Sequence, residues 1–88
     1  MQGRLQQLQT ELAERTIETS AGGGMVRVTA DGRGIVRLVV IDPVVFARHD
    51  AEFLGDLVTA AVAEAQRRAA DLLQAEMRKV PTLPFAAG

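Results

Sequence analysis

Apolar and polar residues alternate along this chain with periods that change three times. Leu5, Leu8 and Leu12 recur at helical spacing among Gln, Glu and Arg. That is a narrow seam of the kind that faces one partner helix, not a broad core-facing stripe. The spacing predicts a helix from Gln2 to Glu14. Thr16, Ile17 and Thr19 then read as strand through Ser20, and Ala21-Gly22-Gly23-Gly24 reads as a turn. Met25 to Ala30 and Ile35 to Ile41 are β-branched-rich runs around Asp31-Gly32-Arg33-Gly34, a hairpin signal. With Asp31 to Arg33 as the loop, Ala30 faces Gly34, Val28 faces Val36 and Val26 faces Leu38. One face then carries Val26, Val28, Val36, Leu38 and Val40, all apolar, and Arg27 stands opposite Arg37.

Asp42-Pro43 ends the third strand, because proline has no N–H to continue a ladder. Val44 to Arg48 reads as one helical turn, and Asp50 as the N-cap of the next helix. From Ala51 to about Lys79 there is no proline, and apolar residues recur at Leu54, Leu57, Val58, Ala61, Val62, Ala65, Ala69, Leu72 and Leu73. Pro81 and Pro84 bound this helix and predict a short flexible tail over 81–88. At about 1.5 Å per residue the helix is roughly 43 Å long. A compact domain of this length measures roughly 30 Å across. The rod therefore overhangs its own domain. With the leucine seam, that calls for a second chain. The predicted fold is α+β, ordered α-β-β-β-α: a small antiparallel sheet with two protruding helices, homodimeric, forming a single domain over 1–80.

Composition narrows the chemistry. The chain has 88 residues, no cysteine, and ten Lys and Arg against eleven Asp and Glu, for a net charge of −1. Without cysteine there is no disulfide framework, Cys-based zinc site or thiol nucleophile. No apolar run approaches the roughly 18 residues that span a bilayer, and residues 1–12 lack the apolar core of a signal peptide. A cytoplasmic protein with no membrane partner is expected. His49 stands alone, so no histidine pair offers a metal site, and a capping or solvated role suits it better. Ser20 is the only serine. Gly22-Gly23-Gly24 is followed by a strand and not by Lys-Ser/Thr and a helix, so it is a turn and not a phosphate loop. Asp42 and Asp50 act as caps. No catalytic constellation, small-molecule substrate or cofactor is indicated.

Charge placement is more informative. The long helix opens with Glu52, Asp56 and Glu64, whereas residues 65–79 hold Arg67, Arg68, Arg78 and Lys79 against Asp71 and Glu76, a net of +2. Complementarity to the helix dipole accounts for Arg78 and Lys79 but poorly for Arg67-Arg68, which sit mid-helix. If the two helices run antiparallel, Arg4 and its neighbouring glutamines meet Arg78 and Lys79 at a common tip. A basic tip repeated twice in a dimer would grip phosphates. The overall negative charge argues the other way.

The ordered set Gly24-Met25-Val26-Arg27-Val28-Thr29-Ala30-Asp31-Gly32, Val39-Val40-Ile41-Asp42-Pro43, Asp56-Leu57-Val58 through Ala60-Ala61, and Ala65-Gln66-Arg67-Arg68 resembles the YbaB/EbfC family of bacterial nucleoid-associated proteins. The resemblance spans residues 5–78. It implies a tweezer-shaped homodimer that binds duplex DNA with little or modest sequence preference, in the nucleoid, contributing to nucleoid organisation and gene regulation. Carried over, the family's helix-end contacts fall on Arg4, Gln6, Gln7, Arg78 and Lys79, with Arg67 and Arg68 nearer the body. Many members have a longer, Lys- and Met-rich first helix; here it is short, Gln-rich and neutral over 1–15. The alternative is a dimeric protein-interaction module, chaperone-like or replication-associated. There the apolar surfaces at Leu5, Leu8, Leu72 and Met77 matter more than the arginines. The predicted dimer or core positions are Leu5, Leu8, Leu12, Val26, Val28, Val36, Leu38, Val40, Leu54, Leu57, Val58 and Val62.

Overall fold

The computed structural model describes residues 2–48 and 50–79. His49 and the expected tail over 81–88 lie outside the described residues. Six elements follow in order: α1 (Gln2–Glu14), β1 (Thr16–Ala21), β2 (Val26–Asp31), β3 (Val36–Ile41), α2 (Val44–Arg48) and α3 (Ala51–Arg78). The strands form one antiparallel sheet in the order β1-β2-β3. The predicted α-β-β-β-α order is therefore the one found. Met25 and Ile35 fall just outside the strands assigned to them.

Local chemistry explains the boundaries. Gly22, Gly23 and Gly24 turn the chain between β1 and β2 with φ of 66°, 69° and 93°, a left-handed run that residues with a Cβ rarely adopt. The Asp50 carboxylate accepts the Phe53 N–H at 2.8 Å and caps α3 as predicted. Asp42 does the same for α2 through the Val44 N–H at 3.0 Å.

The core is built where α3 crosses β1 and β2. Val26, Val28 and Ala30 of β2 meet Ala61 and Ala65 of α3. Ile17, Ala21, Val36, Ile41, Leu54, Leu57, Val58 and Val62 pack around them. Ala61, Ala65 and Ala69 form a stripe of small buried residues at four-residue spacing, which lets the helix lie close to the sheet. The buried Thr19 hydroxyl donates to the Ala61 carbonyl at 2.7 Å, so its burial leaves no unpaired group.

The β2–β3 register differs from the predicted one. Ala30 faces Val36, Thr29 faces Leu38, Val28 faces Val39 and Val26 faces Ile41, with a bulge at Thr29/Ala30. Arg27 faces Val40, not Arg37. Two physical causes combine. The hairpin closes on Asp31 and Ile35, whose N–H and carbonyl meet at 2.9 Å, one position later than expected. The bulge then sets Arg37 aside from the ladder and reverses the parity of the strand beyond it. The core face of β3 is consequently Val36 and Ile41. Leu38 and Val40 turn outward and Leu38 is 55% exposed, so they are not core residues of a single chain. Because β3 is apolar on both faces, parity alone could not choose between registers.

The leucine seam of α1 is covered only at its root. Leu12 is buried and Leu8 half-buried, whereas Leu5 is 58% exposed and outside any core of the single chain. α1 meets the body chiefly at β2. The molecule is long, at 61 × 22 × 16 Å with a radius of gyration of 17.3 Å, against about 12 Å for a compact chain of this length.

Candidate nucleic-acid interface

The basic side chains fall into three settings. Mid-way along α3, Arg67 donates Nε to Glu64 Oε1 at 3.1 Å and Nη2 to Oε2 of the same carboxylate, and Nη1 to Asp71 at 3.1 Å. Arg68 donates Nε to Glu64 at 3.0 Å and Nη1 to the Glu18 carbonyl of β1 at 3.3 Å. Spacings of three and four residues put these groups on one helix face. The Arg67 guanidinium, seconded by Arg68, holds the Glu64 carboxyl below the usual range, and Glu64 raises Arg67 in return. Both arginines are exposed, so phosphate can reach them, but both are already occupied.

At the end of α3, Lys79 pairs with Glu76 at 3.1 Å, and Arg15 reaches the same carboxylate at 3.9 Å. Arg15 follows α1 directly, so this contact puts the last turn of α3 near the root of α1. Arg4 lies eleven residues earlier in the sequence, roughly 16 Å of helix away. Arg4 and Arg78 are exposed, and among the described residues neither makes an ion pair or hydrogen bond. Gln6 and Gln7 are exposed beside Arg4. The structure thus gathers Arg67 and Arg68 around Glu64. Among the described residues, no hydrogen bond or ion pair joins Arg4, Gln6 or Gln7 to Arg78 or Lys79.

The third setting escaped the sequence reading. The nearly buried Asp31 carboxylate accepts the Arg33 and Ile35 N–H groups and the guanidinium groups of Arg33 and Arg37. The Arg33 bond contributes most in holding its carboxyl far below the ordinary range. The spacing Asp31-x-Arg33 signals a turn stabilised by its own aspartate, but Arg37 enters only because of the bulge. Beside this cluster a cleft of about 330 Å³ opens between α1 and α3, lined in part by Gln9, Leu12, Arg33, Gln66 and Leu73. Arg27 is exposed on the outer sheet face, with no ion pair among the described residues. No group of three or more His, Asp or Glu among the described residues is arranged to hold a metal, and no described helix is long and apolar enough to cross a membrane.

Residues 1–82 match the YbaB/EbfC DNA-binding family. The chain belongs to that family. Among its relatives, a Nucleoid-associated protein of Gemmatimonas aurantiaca is 44% identical over 88 residues, covering 97% of this chain and 85% of the other. One of Acetivibrio thermocellus is 45% identical over 80 residues, with 91% and 71% covered. One of Moorella thermoacetica is 48% identical over 73 residues, with 83% and 70% covered. The fold is also that of an uncharacterized Helicobacter pylori protein of known crystal structure, at TM-score 0.77 and 20% identity over 90% of this chain and 92% of that one. The YbaB/EbfC family is one of DNA-binding proteins, not an enzyme family. In this YbaB/EbfC chain the arginines named from the sequence are present, but the two central ones are held by their own helix.

Proposed function

We propose that this chain is a nucleoid-associated protein that binds duplex DNA as a homodimer, with little or modest sequence preference and no catalytic step. The observation that carries this reading is the family match over residues 1–82. Phosphate contacts fall to Arg4, Gln6, Gln7, Arg67, Arg68, Arg78 and Lys79. Contacts to phosphate position a protein on DNA without reading its bases, which suits low specificity. The protein acts in the nucleoid, within the cytoplasm, in nucleoid organisation and gene regulation.

The dimer is supported by what the single chain leaves open. β3 is an edge strand with apolar residues on both sides, and α2, which follows it in the chain, exposes Phe46 at 68%. Such an edge is a template for strand pairing, and a contiguous apolar surface marks an interface. A second copy covers it. Light scattering at micromolar concentration should return twice the chain mass.

DNA binding is tested by fluorescence anisotropy with a random-sequence duplex. Two to four neutralised phosphates per protomer predict a slope of log K against log salt of about −2 to −4. Reversing Arg67, Arg68, Arg78 and Lys79 to Glu should abolish binding. Absence of wild-type binding at low salt would favour the second reading, a dimeric protein-interaction module. The internal pairing of Arg67, Arg68 and Lys79 and the net charge of −1 support that alternative.

A further inference from the structure

Every nitrogen of the Arg67 guanidinium is engaged: Nε and Nη2 by Glu64 and Nη1 by Asp71. Arg68 gives Nε to the same Glu64 carboxylate and Nη1 to the Glu18 carbonyl. Glu64, Arg67, Arg68 and Asp71 together carry no net charge. The two arginines nearest the body therefore present no excess positive charge to a polyanion. Arg4 and Arg78, by contrast, have no ion pair or hydrogen bond among the described residues.

We infer that Glu64 restrains Arg67 and Arg68 and thereby sets how tightly this chain holds DNA. The inference rests on the DNA-binding reading above. A guanidinium fork takes a carboxylate or a phosphate in the same bidentate geometry, so the two anions compete for one set of donors. Arg67 can offer its Nε–Nη2 fork to a phosphate only by giving up Glu64, which leaves it one spare N–H on each Nη. The exchange is feasible because the cluster lies in water. The side chains of Arg67 and Arg68 are 61% and 53% exposed and Glu64 is 34% exposed, and exposed ion pairs are weak. The exchange also lowers the yield of each contact, since one anion replaces another and no unpaired cation is neutralised. Glu64 is the pivot because a single carboxylate holds both arginines, whereas Asp71 holds only one. Its removal releases both arginines from their shared carboxylate and leaves the cluster with a net charge of +1.

The test compares wild type with Glu64→Gln, Asp71→Asn and Glu52→Gln in the anisotropy titration, from about 50 to 200 mM salt, the range over which phosphate contacts weaken strongly. Glu52→Gln is the control. It removes the same unit of charge from an exposed position in the first turn of the same helix. Glu64→Gln should bind random duplex about three- to tenfold more tightly, with a salt slope steeper by about 1 to 2 per protomer. Asp71→Asn should show a smaller gain, and Glu52→Gln should stay within about twofold of wild type, since a charge at that distance is largely screened. A merely structural ion-pair cluster would change the melting temperature and leave the slope alone. Equal gains from Glu64→Gln and Glu52→Gln would overturn the inference in favour of net charge. Weaker binding by Glu64→Gln would also overturn it, by showing that the carboxylate orients the arginines toward phosphate. If neither wild type nor any variant binds at the lowest salt, the DNA reading itself falls. If wild type binds and Glu64→Gln matches it in affinity and slope, only the restraint falls.

Discussion

Asp31 shows how much one side chain can organise. It is 3% exposed, yet its carboxylate is met by two backbone N–H groups and two guanidiniums, so the buried charge is fully partnered. Its folded pKa lies below the unfolded value, near 3.9. The stability it contributes is therefore present above that value and is lost as the pH falls below about 4. Asp31→Asn should lower the melting temperature by roughly 10 °C at neutral pH. The variant should also flatten the fall in stability between about pH 4 and 2, a difference that circular dichroism melts across that range would resolve. Gly32 next to it has a different constraint. Its N–H donates to the carbonyls of Leu12 and Arg15 at 2.8 and 3.1 Å, and a Cβ there would lie 2.6 Å from the Leu12 oxygen. Gly32→Ala should cost about 1–3 kcal/mol in thermal unfolding by prying α1 from its root.

Among the elements, α1 separates what a single chain covers from what it leaves open to the proposed second copy. Leu12→Ala should cost about 2–4 kcal/mol, the range for a buried leucine. Leu5→Ala should cost under about 0.5 kcal/mol in an isolated chain, as at other exposed positions. Equal costs for the two in denaturant melts would mean that a partner covers the seam. The helices and their caps were legible in the sequence, because Asp50 and the proline-free run after it carry their signal locally. The strands were legible as elements but not in register. β3 reads Val-Arg-Leu-Val-Val-Ile, apolar on both parities, and the bulge that decides its faces also frees Arg37 to reach Asp31 across the hairpin. The ion pairs of Glu64 with Arg67 and Arg68 were written in the spacing of three and four, a signal present but not read. The further bond from Arg68 Nη1 to the Glu18 carbonyl of β1, fifty residues away in the chain, could be learned only from the folded structure.

On the scale of the whole molecule, the 61 Å length and the open β3 edge are two signs of the same condition, a chain that does not close its own surface. Leu38→Glu, at an outward position on that edge, should convert the proposed dimer to a folded monomer. Light scattering would then give the single-chain mass with an unchanged circular dichroism spectrum. DNA affinity should fall with it, by about tenfold or more, because half of the phosphate contacts are lost together. Family membership was legible from dispersed motifs, whereas the shape depends on where α3 crosses the sheet.

That crossing has a further consequence. Ala61, Ala65 and Ala69 are equal steps of four residues, about 6 Å along the helix axis, so the alanine stripe alone does not fix where along that axis the helix meets the sheet. A row of identical teeth fixes direction but not position. The bonds that two α3 side chains make to the β-strand region, Gln66 to the Gly34 carbonyl and Arg68 to the Glu18 carbonyl, distinguish one tooth from the next. They work as indexing pins, and together with Leu54, Leu57, Val58 and Val62 they set how far the basic end of α3 reaches beyond the body.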